Sequence, residues 1–196
     1  MLPFLGAAAL AFGAIFIAEF GDKSQLLILA FATRYPARPV VIGVVLAATI
    51  IQGISVAVGA AAGNFLPDGA VAIVSGVAFL AVAAWTLRGE DEEEADSDAP
   101  SGRRLAGIAL VLTVATAFIA SELGDKTMLA TFALAAQQGA LPTWIGSTAG
   151  EVAANLVAVV VGRQAGHRLS PRVIRIGSAA LFALAGAALL IGAFLA

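Results

Sequence analysis

Long apolar stretches follow one another along the chain, separated by short polar breaks. They run from Leu2 to Ala32, Val40 to Leu66, Val71 to Leu87, Leu105 to Ala136, Trp144 to Val161 and Val173 to Ala196. About 20 helical residues cross the roughly 30 Å apolar core of a bilayer, and a helix satisfies its own backbone hydrogen bonds there. The pattern therefore predicts an all-α integral membrane protein with six transmembrane helices.

The composition supports this class and restricts the chemistry. Of the 196 residues, 60% are hydrophobic and 12% are charged, whereas a soluble domain carries roughly 45–50% and 25%. The net charge of −2 argues against a nucleic-acid partner. The chain has no cysteine and one histidine, which excludes disulfides, iron–sulfur centres and thiolate or imidazole-rich metal sites. Any metal ligands would be oxygen atoms, and we expect no permanently bound cofactor.

The basic residues indicate how the helices are oriented. Two of the eleven, Lys23 and Lys126, lie within apolar stretches. The other nine lie in or beside the first, third and fifth loops: Arg34, Arg38, Arg88, Arg103, Arg104, Arg163, Arg168, Arg172 and Arg175. Because basic loops remain in the cytoplasm, we predict that both termini face outward. The first stretch lacks the basic start of a signal peptide and is interpreted as the first helix.

The two halves of the chain align without a gap when they are shifted by 103 residues. The matched residues include a charged block: Glu19 with Glu122, Gly21-Asp22-Lys23 with Gly124-Asp125-Lys126, and Ser24 with Thr127. Three helices per half would place the second half upside down in the membrane, as in many secondary transporters. We therefore predict a first repeat over residues 1–88 and a second, inverted repeat over residues 105–196.

The segment between the repeats, residues 89–104, is predicted to be a cytoplasmic linker. It carries seven of the thirteen acidic residues of the chain. A run of like charges repels itself and is typical of a solvated, disordered segment. A role as a cation antenna is the alternative interpretation.

The charged blocks are the informative part of the apolar stretches. They read Glu19-Phe20-Gly21-Asp22-Lys23-Ser24 and Glu122-Leu123-Gly124-Asp125-Lys126-Thr127. Charged residues at bilayer depth cost about 2.5–3.5 kcal/mol each and mark ion pathways. On a regular helix the Glu, Asp and Lys of each block would share one face. Because the first stretch is too long for one straight span, we expect a tilt, a kink or an unwound turn at each Gly-Asp.

Symmetry between the halves would bring four carboxyl groups together, and these are the predicted metal ligands: Glu19, Asp22, Glu122 and Asp125. Converging carboxylates repel one another and are neutralised by protons or by a divalent cation in turn, which is the basis of an antiporter. Oxygen ligands suit Mn²⁺, Ca²⁺ or Mg²⁺. The lysines would reduce the negative charge, by pairing with a carboxylate or by replacing the metal. The alternative is two salt bridges that only hold helices together.

Four polar residues are predicted to surround these ligands: Gln25, Gln52, Glu151 and Asn155. Gln25 shares a helix face with Asp22. Gln52 and Asn155 occupy matching positions in the two halves, and they either support the ligands or form interhelical hydrogen bonds. Glu151 has Ala48 as its counterpart, so we expect an asymmetric site.

The duplicated motif Glu-x-Gly-Asp-Lys-(Ser/Thr) resembles that of the Gdt family of cation/proton exchangers, which falls in the lysine-exporter superfamily. The resemblance covers essentially the whole chain, including its two halves and acidic central loop. It implies exchange of Mn²⁺ or Ca²⁺ for protons, with the four motif acids as ligands. The supporting residues of the motif would be Gly21, Lys23, Ser24, Gly124, Lys126 and Thr127. Similarity to bacterial members implies a multi-pass protein of the plasma membrane that exports the cation.

The expected partners are the lipid bilayer, a divalent cation and protons, and the chain would act as a monomer or a homodimer rather than as an enzyme. One alternative is an exporter of an amino acid or another small solute, although four carboxylates suit a cation better than a zwitterion. An intramembrane lipid-phosphate enzyme would need Arg near a phosphate, yet every Arg lies in or beside a predicted cytoplasmic loop. A scaffold without transport activity is the third alternative.

Overall fold

The apolar stretches fold into α-helices throughout the part of the chain that the computed structural model describes, which is residues 1–19, 22–65, 67–88, 106–165 and 171–195. The helices are α1 (Leu2–Glu19), α2 (Lys23–Arg34), α3 (Ala37–Phe65), α4 (Asp68–Arg88), α5 (Gly107–Glu122), α6 (Lys126–Gln138), α7 (Ala140–Ala165) and α8 (Pro171–Leu195). The all-α prediction is confirmed. The predicted acidic linker and Gly21 lie outside the described residues, as does the side chain of Lys23.

The two stretches that carry the charged blocks are each divided into two helices. In the second half, α5 and α6 are bent by 79° relative to each other. Gly124 lies in this turn with φ +80°, a left-handed conformation that glycine adopts without steric cost. The expected break at Gly-Asp is therefore confirmed here. In the first half, α1 ends at Glu19 and α2 begins at Lys23.

Several described helices are suited to a bilayer. Three are long and apolar enough to cross it, namely Leu2–Glu19, Ala37–Phe65 and Gly69–Arg88, and the bent pair α5 and α6 forms a fourth candidate span. Large apolar side chains such as Leu10, Ile50 and Leu184 remain exposed on the surface, where lipid would cover them. The structure is thus consistent with a membrane protein, while the count of six spans and their orientation stay predictions.

The two halves of the chain fold into matching helices. α2, α3 and α4 begin at residues 23, 37 and 68, and α6, α7 and α8 begin at residues 126, 140 and 171, which keeps the offset of 103 found in the sequence. The halves also pack against each other in equivalent ways, since α1 contacts α7 and α5 contacts α3. A Cβ atom at Gly146 would meet the backbone of Ala8, and one at Gly43 would meet Val111. Glycine therefore permits close approach at both equivalent interfaces.

Two apolar clusters hold the described helices together. One joins α1, α4, α6 and α8 and includes Ile15, Phe79, Leu134 and Phe182. The other, called the α2–α3–α5 cluster below, contains these large side chains: Ile28, Phe31, Val40, Val44, Leu110, Val114 and Phe118. The chain passes from one cluster to the other at each break, because α1 and α6 belong to the first cluster and α2 and α5 to the second. Both charged turns therefore lie at the junction of the two clusters.

Candidate metal centre

Both charged motifs form an equivalent backbone hydrogen bond at the break between two helices. Glu19 and Glu122 are the last residues of α1 and α5. The backbone N–H of Asp22 donates to the Glu19 carbonyl at 3.3 Å, and that of Asp125 donates to the Glu122 carbonyl at 3.2 Å. The shared face that Glu, Asp and Lys would have on a regular helix does not form, because the helix ends at the Glu and a new one begins at the Lys, with the expected break between them. The break instead brings the Glu at the end of one helix close to the Asp that precedes the next helix.

Three of the four predicted ligands converge. One carboxylate oxygen from each of Glu19, Glu122 and Asp125 lies within 4.8 Å of the others. All three side chains are buried, with exposed fractions of 0%, 2% and 6%. The group draws on both halves of the chain and on three helices. We call it the carboxylate cluster.

Asp22, the fourth predicted ligand, is engaged by a cation. Its Oδ2 lies 2.6 Å from Nζ of Lys126, so the acid of the first motif pairs with the base of the second. The prediction that a motif lysine pairs with a carboxylate is met by Lys126. The structure thus brings Glu19, Glu122 and Asp125 together as one group, and it places Asp22 in an ion pair between the two turns.

The motif hydroxyl groups hold the motif glutamates. Ser24 Oγ donates to Oε2 of Glu19 at 3.3 Å, and Thr127 Oγ1 is 3.5 Å from Oε2 of Glu122. In both halves the hydroxyl belongs to the helix after the break and the carboxylate to the helix before it. Each contact therefore ties the two ends of a broken helix together at the cluster.

Asp125 has a second role as the N-cap of α6. Its carboxylate accepts a hydrogen bond from the backbone N–H of Met128 at 2.9 Å, and from Thr127 Oγ1 at 2.9 Å. An N-terminal cap satisfies a backbone donor that the helix leaves free, and the positive end of the helix dipole favours a negative charge there. The start of α6 thus orients Asp125.

The four surrounding polar residues lie between the halves. The Gln25 side-chain amide donates to the Ala154 carbonyl of α7 at 3.5 Å. The Gln52 side-chain amide donates to the Glu151 carboxylate, and the Asn155 side-chain amide donates to the Glu151 carbonyl at 3.0 Å. Gln52 therefore does form an interhelical hydrogen bond. One oxygen each of Gln52, Glu151 and Asn155 is nevertheless buried with no hydrogen-bond partner among the described residues.

The electrostatic setting is strongly acidic. Glu19 has Glu151, Asp22 and Asp125 as like-charged neighbours and Lys126 as a cationic neighbour. Glu151 is fully buried and has Asp125 as a charged neighbour. Buried carboxylates need a cation or protons to offset their charge. An all-oxygen group of this kind suits a hard divalent cation.

Two buried hydroxyl groups were not predicted from the sequence. Thr131 and Thr143 have an exposed fraction of 0%, and their hydroxyl oxygens have no hydrogen-bond partner within the described part of the chain. Comparison of the two halves could have identified both residues, because their counterparts 103 residues earlier are the apolar Ile28 and Val40.

Comparison with known proteins gives a consistent family assignment. Residues 7–94 and 110–196 match the family model described as "Divalent cation/proton antiporter GDT1". A Vibrio cholerae protein named "Putative manganese exporter" is 30% identical over 183 residues, which cover 92% of this chain and 88% of that protein. A GDT1-like protein of Synechocystis is 30% identical and shares 87% of this chain and 89% of its own length.

A plant relative matches over a smaller part of its own length. The chloroplastic protein PAM71 of Arabidopsis thaliana is 31% identical over 199 residues, which cover 89% of this chain and 54% of that protein. No solved structure matches the chain.

Proposed function

This chain belongs to the GDT1 family of divalent cation/proton antiporters, and from that premise we propose that it exports Mn²⁺ from the cytoplasm in exchange for protons. The observation that carries the proposal is the carboxylate cluster of Glu19, Glu122 and Asp125. Similarity to the Vibrio protein named as a manganese exporter favours Mn²⁺ as the cargo. Ca²⁺ is the next candidate, because it also prefers oxygen ligands.

The proposed cation site consists of the carboxylate cluster, with Asp22 as a further ligand. Lys126 pairs with Asp22, and this pairing is proposed to neutralise Asp22 until a cation binds. Movement of Lys126 away from Asp22 would free a fourth carboxylate for the cation. Gln25, Gln52, Glu151 and Asn155 are proposed to support the ligands from α2, α3 and α7.

Coupling to protons follows from the chemistry of the same groups. Carboxylates buried close together are neutralised either by a divalent cation or by protons. Binding of one therefore displaces the other, which couples movement of the cation to movement of protons. Moving a divalent cation outward against 100 mV costs about 4.6 kcal/mol, at roughly 2.3 kcal/mol per charge. Two entering protons would cancel this charge, so we propose a stoichiometry of two protons per cation.

The proposed architecture places this site at the middle of the membrane. Residues 1–88 and 105–196 would form two inverted three-helix repeats joined by the cytoplasmic linker 89–104. Six spans, with both termini outside, would make the chain a multi-pass protein of the plasma membrane. The equal spacing of matching helix starts supports the repeat, and the arginines of the odd loops support the orientation.

Proteoliposomes that carry an internal pH dye test the function and the site together. With wild-type protein, we expect Mn²⁺ flux coupled to proton movement in the opposite direction. Glu122→Gln and Asp125→Asn should each abolish this exchange, because each removes one charged ligand. Glu94→Gln is the matched control, since it makes the same chemical change in the predicted linker, and it should exchange normally.

Three results would contradict the proposal. If the wild type moves neither Mn²⁺ nor Ca²⁺ under a proton gradient, the proposed exchange is wrong. If Glu122→Gln and Asp125→Asn exchange at the wild-type rate, the site is wrong. A flux that depends on membrane potential would refute the two-proton stoichiometry.

A further inference from the structure

Three buried hydroxyl groups occupy positions that are apolar in the other half of the chain. Thr131, Thr143 and Ser147 each have an exposed fraction of 0%. Their counterparts 103 residues earlier are Ile28, Val40 and Val44. All three counterparts belong to the α2–α3–α5 cluster.

The surrounding helices repeat the same arrangement. α6 and α7 contact each other and α1, just as α2 and α3 contact each other and α5. The positions on α5 that complete the apolar cluster are Leu110, Val114 and Phe118. Their counterparts on α1 are the smaller residues Ala7, Ala11 and Ile15. One three-helix interface is thus built twice, once from large apolar side chains and once from smaller apolar side chains together with hydroxyl groups.

The hydroxyl-bearing interface contains polar atoms that lack partners. Within the described part of the chain, Thr131 Oγ1 and Thr143 Oγ1 form no hydrogen bond, and Ser147 Oγ has a long one of 3.4 Å to the Trp144 carbonyl. Val40 and Val44 fill the same positions in the other half without any polar atom. A buried polar group without a partner destabilises a protein. Apolar side chains at these positions would therefore stabilise the fold more than the hydroxyl groups do.

The hydroxyl groups on α7 lie on the same helix face as Glu151, which neighbours the carboxylate cluster. Thr143, Ser147 and Glu151 are spaced four residues apart, so they lie along one face of the helix over about 12 Å. Glu151 has Glu19 and Asp125 as charged neighbours, and its Oε1 has no hydrogen-bond partner among the described residues. A row of oxygen atoms therefore extends from near the first turn of α7 to the acids of the cluster.

We propose that Thr131, Thr143 and Ser147, together with Glu151, line the route by which the divalent cation moves between the carboxylate cluster and the N-terminal end of α7. This proposal rests on the proposed function. Oxygen atoms along a route replace the hydration shell of an ion as it sheds water. The α2–α3–α5 cluster offers no such atoms at Ile28, Val40 and Val44.

The first test separates movement of the cation from its binding. The triple variant Thr131→Val, Thr143→Val and Ser147→Ala removes the hydroxyl groups with little change in volume and leaves the carboxylates in place. Thr86→Val is the matched control, because Thr86 is a buried threonine on α4 whose hydroxyl oxygen also has no hydrogen-bond partner among the described residues. Mn²⁺ affinity is measured in detergent by equilibrium dialysis, and Mn²⁺/proton exchange is measured in proteoliposomes.

We expect the triple variant to bind Mn²⁺ with wild-type affinity and to exchange it about tenfold more slowly, which corresponds to ~1.4 kcal/mol in the barrier. Thr86→Val should match the wild type in both measurements. Wild-type exchange by the triple variant would overturn the route while leaving the proposed function intact. Failure of the wild type to bind or exchange either Mn²⁺ or Ca²⁺ would instead overturn the proposed function itself.

A second measurement does not depend on transport. Because the natural chain has no cysteine, single replacements give unique labelling sites. Thr143→Cys and Ser147→Cys are compared with their counterparts Val40→Cys and Val44→Cys for reaction with a positively charged, membrane-impermeant methanethiosulfonate reagent. We expect the first pair to react faster and to be protected by Mn²⁺. Equal rates in both pairs, or no protection, would overturn the proposal even if the triple variant failed to fold.

Discussion

The side-chain amine of Lys126 lies 2.6 Å from Oδ2 of Asp22, so the base of one motif neutralises the acid of the other. The two residues belong to different halves of the chain, and their side chains are 14% and 4% exposed. The ion pair therefore connects the two broken helices in an environment largely shielded from water. It also keeps one carboxylate out of the cluster formed by Glu19, Glu122 and Asp125.

Removal of Lys126 should destabilise the protein more than removal of the whole pair. Lys126→Met breaks the buried ion pair with Asp22, and breaking such a pair by removing one partner typically costs about 3–5 kcal/mol. The double variant Asp22→Asn and Lys126→Met removes both charges and should recover much of this loss. Thermal unfolding in detergent measures the difference. If the single and double variants unfold at the same temperature, the pair is not coupled.

Gly124 should tolerate alanine poorly although space is available. A Cβ there would meet nothing within 4 Å, but the residue has φ +80°, and the left-handed conformation costs roughly 1–2 kcal/mol for an L-residue. Gly13→Ala is the control, because Gly13 lies in α1 with equally open surroundings. There alanine should be neutral or stabilising, since it favours helix. Equal melting temperatures for Gly124→Ala and Gly13→Ala would contradict the backbone argument.

Loss of the motif hydroxyl groups should weaken cation binding. Ser24→Ala removes the donor to Glu19, and Thr127→Val removes the hydroxyl group that bonds to Asp125 and lies 3.5 Å from Glu122. Loss of a group that orients a metal ligand typically lowers affinity about 10–100-fold. Thr116→Val is a suitable control, because among the described residues that hydroxyl bonds to carbonyls of its own helix. Equilibrium dialysis with Mn²⁺ gives the affinities, and wild-type binding by both motif variants would refute the expectation.

Mn²⁺ should stabilise the folded protein through the carboxylate cluster. A ligand present at 100 times its Kd adds about 2.7 kcal/mol to the free energy of unfolding. The melting temperature in detergent should therefore rise with Mn²⁺ and fall back when a chelator removes the metal. Glu122→Gln should lose this response, whereas Glu94→Gln should keep it. A similar rise in Glu122→Gln would mean that the metal binds elsewhere.

Much of this protein could be predicted because it depends on local or periodic features of the chain. The apolar stretches indicated a helical membrane protein, and the offset of 103 residues between Glu19 and Glu122 reappears in the helix starts of the structure. The Gly-Asp pair indicated the break that separates α5 from α6. Backbone preference and hydrophobic burial act over short segments, so these features can be predicted from the sequence.

The arrangement of the acids was decided by tertiary packing. Four carboxylates were predicted to converge as ligands, whereas Asp22 pairs with Lys126 and only Glu19, Glu122 and Asp125 form one group among the described residues. Likewise, the Gln52 amide donates to Glu151 across the two halves. Such contacts depend on how the broken helices are oriented and how closely α1 approaches α7 and α5 approaches α3. These distances result from side-chain packing over the whole molecule, and residue spacing along the chain carries no information about them.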